Sequence, residues 1–315
     1  YVLPESAAKA AVQFADVPRL LETYGEAFGP FPFPGSKFAL VETSFWGMEH
    51  STAVAYGSSF PAWCRQNGVK DRYALRNTYF DYILVHEVAH EWWGNAVSAA
   101  DWGDFWIHEG FGTYAEGVFV ERTQGREHAD EYWRDAQRQV DKRGSLFRGM
   151  GTNSDQAYDG ILYAKGGWVL HTLRTFVADD DAWWKTLREF NLAFRYRNAS
   201  TDDFRAVLER NTGRAWSEFF DEWFRGNGYP LVDGSVRAAT DELTITAENT
   251  GSDGTRFHVP LDLTWKENGS PKSARVVLAP GANTLHVATH GTASEVVVTN
   301  LGRMLGRFTL RVDTR

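Results

Sequence analysis

The sequence has a single cysteine, Cys64, which excludes an internal disulfide framework and any cysteine-rich metal site. It has no run of about 18 apolar residues, so no segment reads as a membrane-spanning helix. It also lacks a basic surplus. Its 33 Lys and Arg against 41 Asp and Glu leave a formal net charge of −8, whereas a nucleic-acid-binding chain would favour a basic face. There is no internal repeat and no low-complexity tract. An initiator Met and a signal-peptide pattern are missing as well. The opening "YVLPESAAKAAVQF" reads as an interior segment of a longer protein, from which a targeting sequence could have been lost upstream, and the sequence assigns no compartment.

What is present describes a soluble globular chain. At 315 residues, with 43% hydrophobic and 23% charged residues, it is long enough for a large core and for two domains. Thirteen tryptophans point to an aromatic-rich interior. Residues 1–230 carry helical patterns. "PESAAKAAVQFADVPRLLETYGEAFG" reads as a helix stopping at Gly29, and "PGSKFALVET" alternates like a strand. "NTYFDYILVHEVAHEWWGN" is apolar nearly all round, as a buried helix is, and "DFWIHEGFGTYAEGVFVER" reads as another. "TDDFRAVLERNTG" starts on a Thr/Asp cap and ends at Gly213, and "WSEFFDEWFRGNGYP" closes the helical part. After "GYPLV" the texture changes to short alternating runs: "ELTITAEN", "RFHVPLDLTWKENG", "ARVVLAPGANTLHVAT" and "SEVVVTN". They predict a small all-β domain of sandwich type over 231–315, with the boundary near Pro230.

Within "VHEVAHEWWGN", His86 and His90 stand four residues apart, so on a helix both imidazoles leave one face a turn apart. Glu87 lies beside them, where a carboxylate can reach a water at a metal, in the pattern HExxH. A catalytic zinc needs a third protein ligand. The version with His-x-x-Gly-x-x-His downstream is excluded, because Trp93 and Ala96 occupy those places. Glu109 of "WIHEGFGTYAE" follows His90 by 19 positions, enough for a turn and a returning helix. His108 is its rival, but neighbours on a helix do not share a face, so one of the two should ligate. Gly110 and Gly112, each costing about 1 kcal/mol inside a helix, make sense where backbones approach closely. Thr113 and Glu116 lie on the Glu109 face and are candidates to hold an imidazole.

These residues resemble the zinc aminopeptidases of the gluzincin group, the family of aminopeptidase N and the leukotriene-converting hydrolase. "HEVAHEWWGN" followed by the glutamate of "WIHEGFGTYAE" looks like their zinc signature. "FWGMEHSTAVAYG" resembles their Gly-Ala-Met-Glu-Asn motif, "AYDGILYAKGG" the segment with their catalytic tyrosine, and "WFRGNGYPLV" the junction to a β domain. The resemblance implies an α+β fold: a thermolysin-like, mostly helical catalytic domain (1–230) with a small mixed sheet, followed by the β-sandwich. It implies one zinc ion per chain on His86, His90 and Glu109, with Glu87 as general base and Tyr163 stabilising the oxyanion. Tyr158 is the alternative should Tyr163 point elsewhere. Glu49 would bind the free α-amino group, in a segment with Gly47, Met48 and His50, and a peptide would lie along the edge of the strand before it.

The implied substrates are peptides with a free N-terminus. The chain departs from the motif at Trp46, which replaces a glycine, and at His50, which replaces an asparagine; both bear on substrate preference. The resemblance implies a β domain upstream and, as in many relatives, a helical domain downstream, so the sequence reads as a fragment, an excised piece or a minimal member of the family. A zinc endopeptidase with an open cleft is the second reading, and a non-catalytic binding or scaffold domain on the same fold is the third. His128, His171, His258, His286 and His290 read as surface or packing residues. Asp179, Asp180 and Asp181 read as a solvated helix junction without the spacing of a calcium loop. Cys64 has no evident base and is not a nucleophile candidate.

Overall fold

The N-terminal run expected as one helix is two, α1 (Ala7–Gln13) and α2 (Val17–Phe28), separated by a 3-10 turn at Phe14–Asp16. Pro18 accounts for the break: without an N–H it suits the first turn of a new helix and not the interior of a continuous one. The protein is described by a computed structural model over residues 1–70, 79–138, 140 and 144–313. Among the described residues the remaining α-helices of six or more residues are α3 (Pro61–Gln66), α4 (Tyr82–Ala89), α5 (Trp106–Gln124), α6 (Arg126–Gln137), α7 (Gly160–Val177), α8 (Asp180–Phe194) and α9 (Thr201–Thr212).

The expected buried helix through "NTYFDYILVHEVAHEWWGN" is shorter than its apolar run. Asn77 and Thr78 lie outside the described residues. Asp81 caps the start, and after His90 the chain leaves helical geometry in turns that include Gly94 at φ +123°. The cap of α9 is Ser200, one residue earlier than expected, in a reciprocal capping box with Asp203. "WSEFFDEWFRGNGYP" forms a short helical turn, Ser217–Phe219, which widens to π geometry over Phe220–Arg225.

Three short strands form a small mixed sheet in the order β1-β3-β2. β1 (Leu40–Glu42) runs parallel to β3 (Val54–Tyr56), and β2 (Gly47–Met48) is the antiparallel edge. The expected strand "KFALVET" thus contributes only Leu40–Glu42, and the residues before Glu49 make an edge strand of their own. β4 (Val97–Ala99) pairs in parallel with β5 (Arg197–Ala199).

From residue 230 the described residues form strands, apart from loops and a 3-10 turn at Leu301–Arg303: β6 (Pro230–Ala239), β7 (Glu242–Gly251), β8 (Val259–Glu267), β9 (Ser270–Leu278), β10 (Gly281–Ala288), β11 (Ala293–Val298) and β12 (Arg307–Asp313). They form two sheets, β10-β7-β6-β12 and β11-β8-β9. "ARVVLAPGANTLHVAT", read as one run, splits into β9 and β10 before Gly281 at φ +95°. β6 escaped the pattern because Gly234 and Ser235 interrupt its alternation, leaving Val232 and Val236 as its buried apolar side chains.

The fold is α+β. Among the described residues no helix is long and apolar enough to cross a membrane. Trp92, Trp93, Trp106, Trp133, Trp168, Trp183 and Trp223 are fully buried. The Trp93 ring stacks on Phe111 of α5 at 4.3 Å, which seats the turn after α4 against that helix. Lys165 of α7 is buried, and its Nζ donates to the carbonyls of Gly144 and Gly226 at 2.7 and 2.8 Å. Burial pushes this ammonium down to about 8.

Candidate active site

α4 is a buried helix: Ile83, Leu84, Val85, Val88 and Ala89 are covered by the core, and its polar residues His86 and Glu87 are almost as fully covered. Its start is held by Asp81, whose carboxylate accepts from Leu84 N and from the Tyr56 hydroxyl. Burial raises Asp81 to about 6, against the hydrogen bonds that favour its charge. Its folded value lies above the unfolded one, so its stabilising contribution is full below about pH 4 and is lost as pH rises through about 6. Asp81→Asn, which keeps an acceptor for both partners, should therefore be no less stable than the parent at pH 7. It should lack a rise of up to about 3 kcal/mol that the parent gains on acidification. Urea midpoints at pH 5 and pH 7 for both proteins test this; parallel pH dependence would refute it.

His86 and His90 come off α4 together, their ring centroids 4.9 Å apart. The outer nitrogen of each ring is taken. His86 Nδ1 pairs with Glu116 Oε1 at 2.8 Å, and His90 Nδ1 donates to the Trp93 carbonyl at 2.8 Å. In neutral rings this leaves both Nε2 lone pairs facing the Glu109 carboxylate of α5. Glu109 Oε2 lies 3.3 Å from His86 Nε2 and 3.6 Å from His90 Nε2. These distances are long for charge-assisted hydrogen bonds. They match the edges of a tetrahedron with zinc bonds of about 2.0–2.1 Å, whose donors stand about 3.3–3.4 Å apart. Burial would raise Glu109, but its hydrogen bond with His86 and the charge of the two histidines hold it at about 2.

A second triplet, Glu49, Glu87 and His90, also brings its donor atoms within 4.8 Å of one another. It shares His90 with the first. Glu49 is only partly buried, whereas His86, His90 and Glu109 are all buried, and both imidazoles of that triplet are oriented by a partner. The first set therefore suits a zinc ion better. His108 is turned away: its Nε2 accepts the Ala99 N–H at 3.1 Å, and burial pushes it down to about 4.

Glycine sets two of the approaches. A Cβ on Gly112 would meet His86 Cε1 at 2.9 Å and His90 Cε1 at 3.2 Å, so α5 can face both rings only with hydrogen there. Gly110 serves a different neighbour. A Cβ on Gly166 of α7 would lie 2.7 Å from its Cα, so these two glycines bring α7 onto α5. Of the residues expected to hold an imidazole, Glu116 does so, and its second oxygen accepts from the Tyr132 hydroxyl at 2.8 Å. Thr113 does not; its methyl packs against Gly167, and its hydroxyl has no partner among the described residues.

Tyr163 sits in the first turn of α7, with its ring 5.8 Å from that of His86. Burial, reinforced by Glu109, keeps its phenol protonated far above the ordinary value. Tyr158 is at the site too, donating to Glu109 Oε1 at 3.1 Å, so the structure brings both tyrosines to the same carboxylate. Glu87 is buried against β2, where a Cβ on Gly47 would fall 2.6 Å from its Oε1. Burial pushes Glu87 upward, opposed by His86 and His90. A cleft of about 310 Å³ is lined by residues 46–49 together with Glu87, the two histidines, Glu109, Tyr158 and Tyr163. His50 is exposed and does not line it. The sequence reading missed Glu91 and Tyr132. Glu91 could have been noticed as the second acid in "HEVAHEWW"; Tyr132 carries no local signal.

Of the other histidines, His171 is buried and stacked on Trp133, while His258 pairs with Glu222 at 2.6 Å. Asp179 caps α8, and Asp180 pairs with Arg174.

Helices and small sheets arranged around a cleft in which two imidazoles and a carboxylate converge define a peptidase-type architecture. Residues 13–223 match the Peptidase family M1 domain, and the chain belongs to that family of zinc-dependent metallopeptidases. It is 24% identical over 266 residues to "Probable aminopeptidase 2" of Sulfurisphaera tokodaii, covering 80% of this chain and 33% of that protein. It is 27% identical over 274 residues to aminopeptidase N of Lactococcus lactis subsp. lactis, covering 80% and 31% respectively. Its fold resembles that of Legionella pneumophila aminopeptidase A, solved in complex with aspartic acid, with a TM-score of 0.73 at 12% identity. That likeness covers 100% of this chain and 36% of the solved one. The chain thus spans about a third of the length of the relatives it matches.

Proposed function

We propose that the chain is a zinc aminopeptidase that removes N-terminal residues from peptides. Residues 1–230 would form a thermolysin-like catalytic domain, and 231–315 a β-sandwich. His86, His90 and Glu109 would hold the ion. Bound there, zinc would acidify a water and polarise the scissile carbonyl. Glu87 would take the proton from the attacking water and pass it to the leaving amine. Tyr163, with Tyr158 beside it, would donate to the oxygen that becomes negative. The backbone of Gly47 and Met48 on the edge strand would pair with the peptide.

The observation that carries the exopeptidase part is the place of Glu49. Its carboxylate stands within 4.8 Å of donor atoms of Glu87 and His90, so a protonated amine bound to it would have its own peptide bond at the reacting centre. The test compares an aminoacyl anilide having a free amine with its N-acetylated twin. The parent should cleave the free-amine substrate alone, and Glu49→Ala should lose about 100-fold in kcat/KM on it, the scale of truncating one partner of a buried charge pair. Equal rates on the two substrates would favour an endopeptidase and reject this reading.

A further inference from the structure

Glu91 follows His90, is 0% exposed, and belongs neither to the donor set nor to the wall of the cleft. Its Oε1 accepts the backbone N–H of Thr52 at 2.7 Å, across 39 positions of chain. Thr52 has φ +59°, a left-handed conformation that is a steric outlier for a β-branched residue. The reason lies in the loop. Ala53 N donates to His50 O at 3.0 Å, making Ser51 and Thr52 the centre of a β-turn whose second central residue takes positive φ, a place where Gly is usual. Immediately before it, His50 N donates to Met48 O at 2.9 Å, closing a three-residue turn centred on Glu49. The direction of the Glu49 side chain is therefore set by a tight loop held in an unfavourable conformation. Such a conformation persists only where the surroundings over-determine it. The Glu91 carboxylate does so from the segment that carries His90.

We propose that Glu91 is a positioning residue. By tying the 50–53 turn to the end of α4, it registers the amine-binding carboxylate of Glu49 against Glu87 and His90, and so sets how many residues fit between the bound amine and the reacting centre. The inference rests on the reading of Glu49 given above.

The test uses the zinc-loaded 315-residue chain and a free-amine anilide, with zinc affinity measured separately by chelator competition. Glu91→Met, which fills the space without an acceptor, and Glu91→Ala should each raise KM about 10-fold, the scale of one charged hydrogen bond, with kcat and zinc affinity nearly unchanged. Agreement between them excludes a packing cause, and the Met variant carries the test if the Ala variant does not fold. Glu91→Gln, which keeps an acceptor, should behave as the parent. Adding Thr52→Gly to Glu91→Met should restore most of the lost KM, since glycine adopts positive φ without strain. An unchanged KM in the Met variant, a Gln variant as poor as the Met variant, or a loss of zinc affinity in place of the KM rise would each overturn the proposal. No hydrolysis by the parent would instead overturn the aminopeptidase reading and this inference with it.

Discussion

Glu87→Gln should retain a full equivalent of zinc and lose about 10²–10⁴-fold in kcat, the usual range for removing a general base. The amide has the shape of the carboxylate and keeps an acceptor, but it cannot take up a proton. Glu87 is not one of the three converging donors; its Oε1 faces Gly47 on the edge strand, beside the cleft. Measuring the metal by atomic absorption alongside kcat separates the two triplets that share His90. Loss of zinc together with activity would mean that the ion sits on Glu49, Glu87 and His90, and the roles proposed for Glu87 and Glu49 would fail. Zinc retained with activity within a few-fold of the parent would remove Glu87 from the chemistry.

Gly112→Val should lower zinc affinity by at least about 100-fold, as much as or more than removing a group that orients a ligand. The first added carbon alone would stand 2.9 Å from His86 Cε1, 3.2 Å from His86 Nε2 and 3.2 Å from His90 Cε1. The rings cannot retreat, because Glu116 and the Trp93 carbonyl hold their far sides. α5 cannot retreat without breaking its glycine contact with α7. A chelator titration gives the affinity, and circular dichroism shows that the helices persist. Wild-type affinity in a folded Val variant would show that α5 does not press on the imidazoles as the coordinates place it.

How much of this was legible in the sequence depended on how local each contact is. The convergence of His86 and His90 follows from a four-residue spacing, and the rule that adjacent helical residues diverge says that only one of His108 and Glu109 should join them; the choice of Glu109 came from the family resemblance, and in the structure its carboxylate lies beside both imidazoles. The β-rich end of the chain was visible in its alternation, except in β6, where Gly234 and Ser235 hide the period. What stayed hidden depends on tertiary contact. Nothing near Gly110 says that its partner is Gly166 on α7 and not the histidine helix. The length of α4 was overestimated because Trp92 and Trp93 look like helical core residues, although they reach the core from turns. Tyr132 meets Glu116 from another helix, and Glu91 meets Thr52 in the turn between β2 and β3, so their bonds left no periodic trace.

Lys165 lies half a helical turn from Tyr163, and the carbonyl of Gly226, which it grips, is four residues before β6 begins. Leu305 N, near the far end of the strands, likewise donates to Thr172 on the same helix at 2.9 Å. Further along that helix, Arg275 of β9 donates to the carbonyls of Thr175 and Phe176, and Thr175 donates to the Arg303 carbonyl, so the strand-rich tail is fastened to the rod that presents the tyrosine along much of its length. The strands and the phenol of Tyr163 therefore share one helix as their common support, whereas the imidazoles reach the cleft from α4.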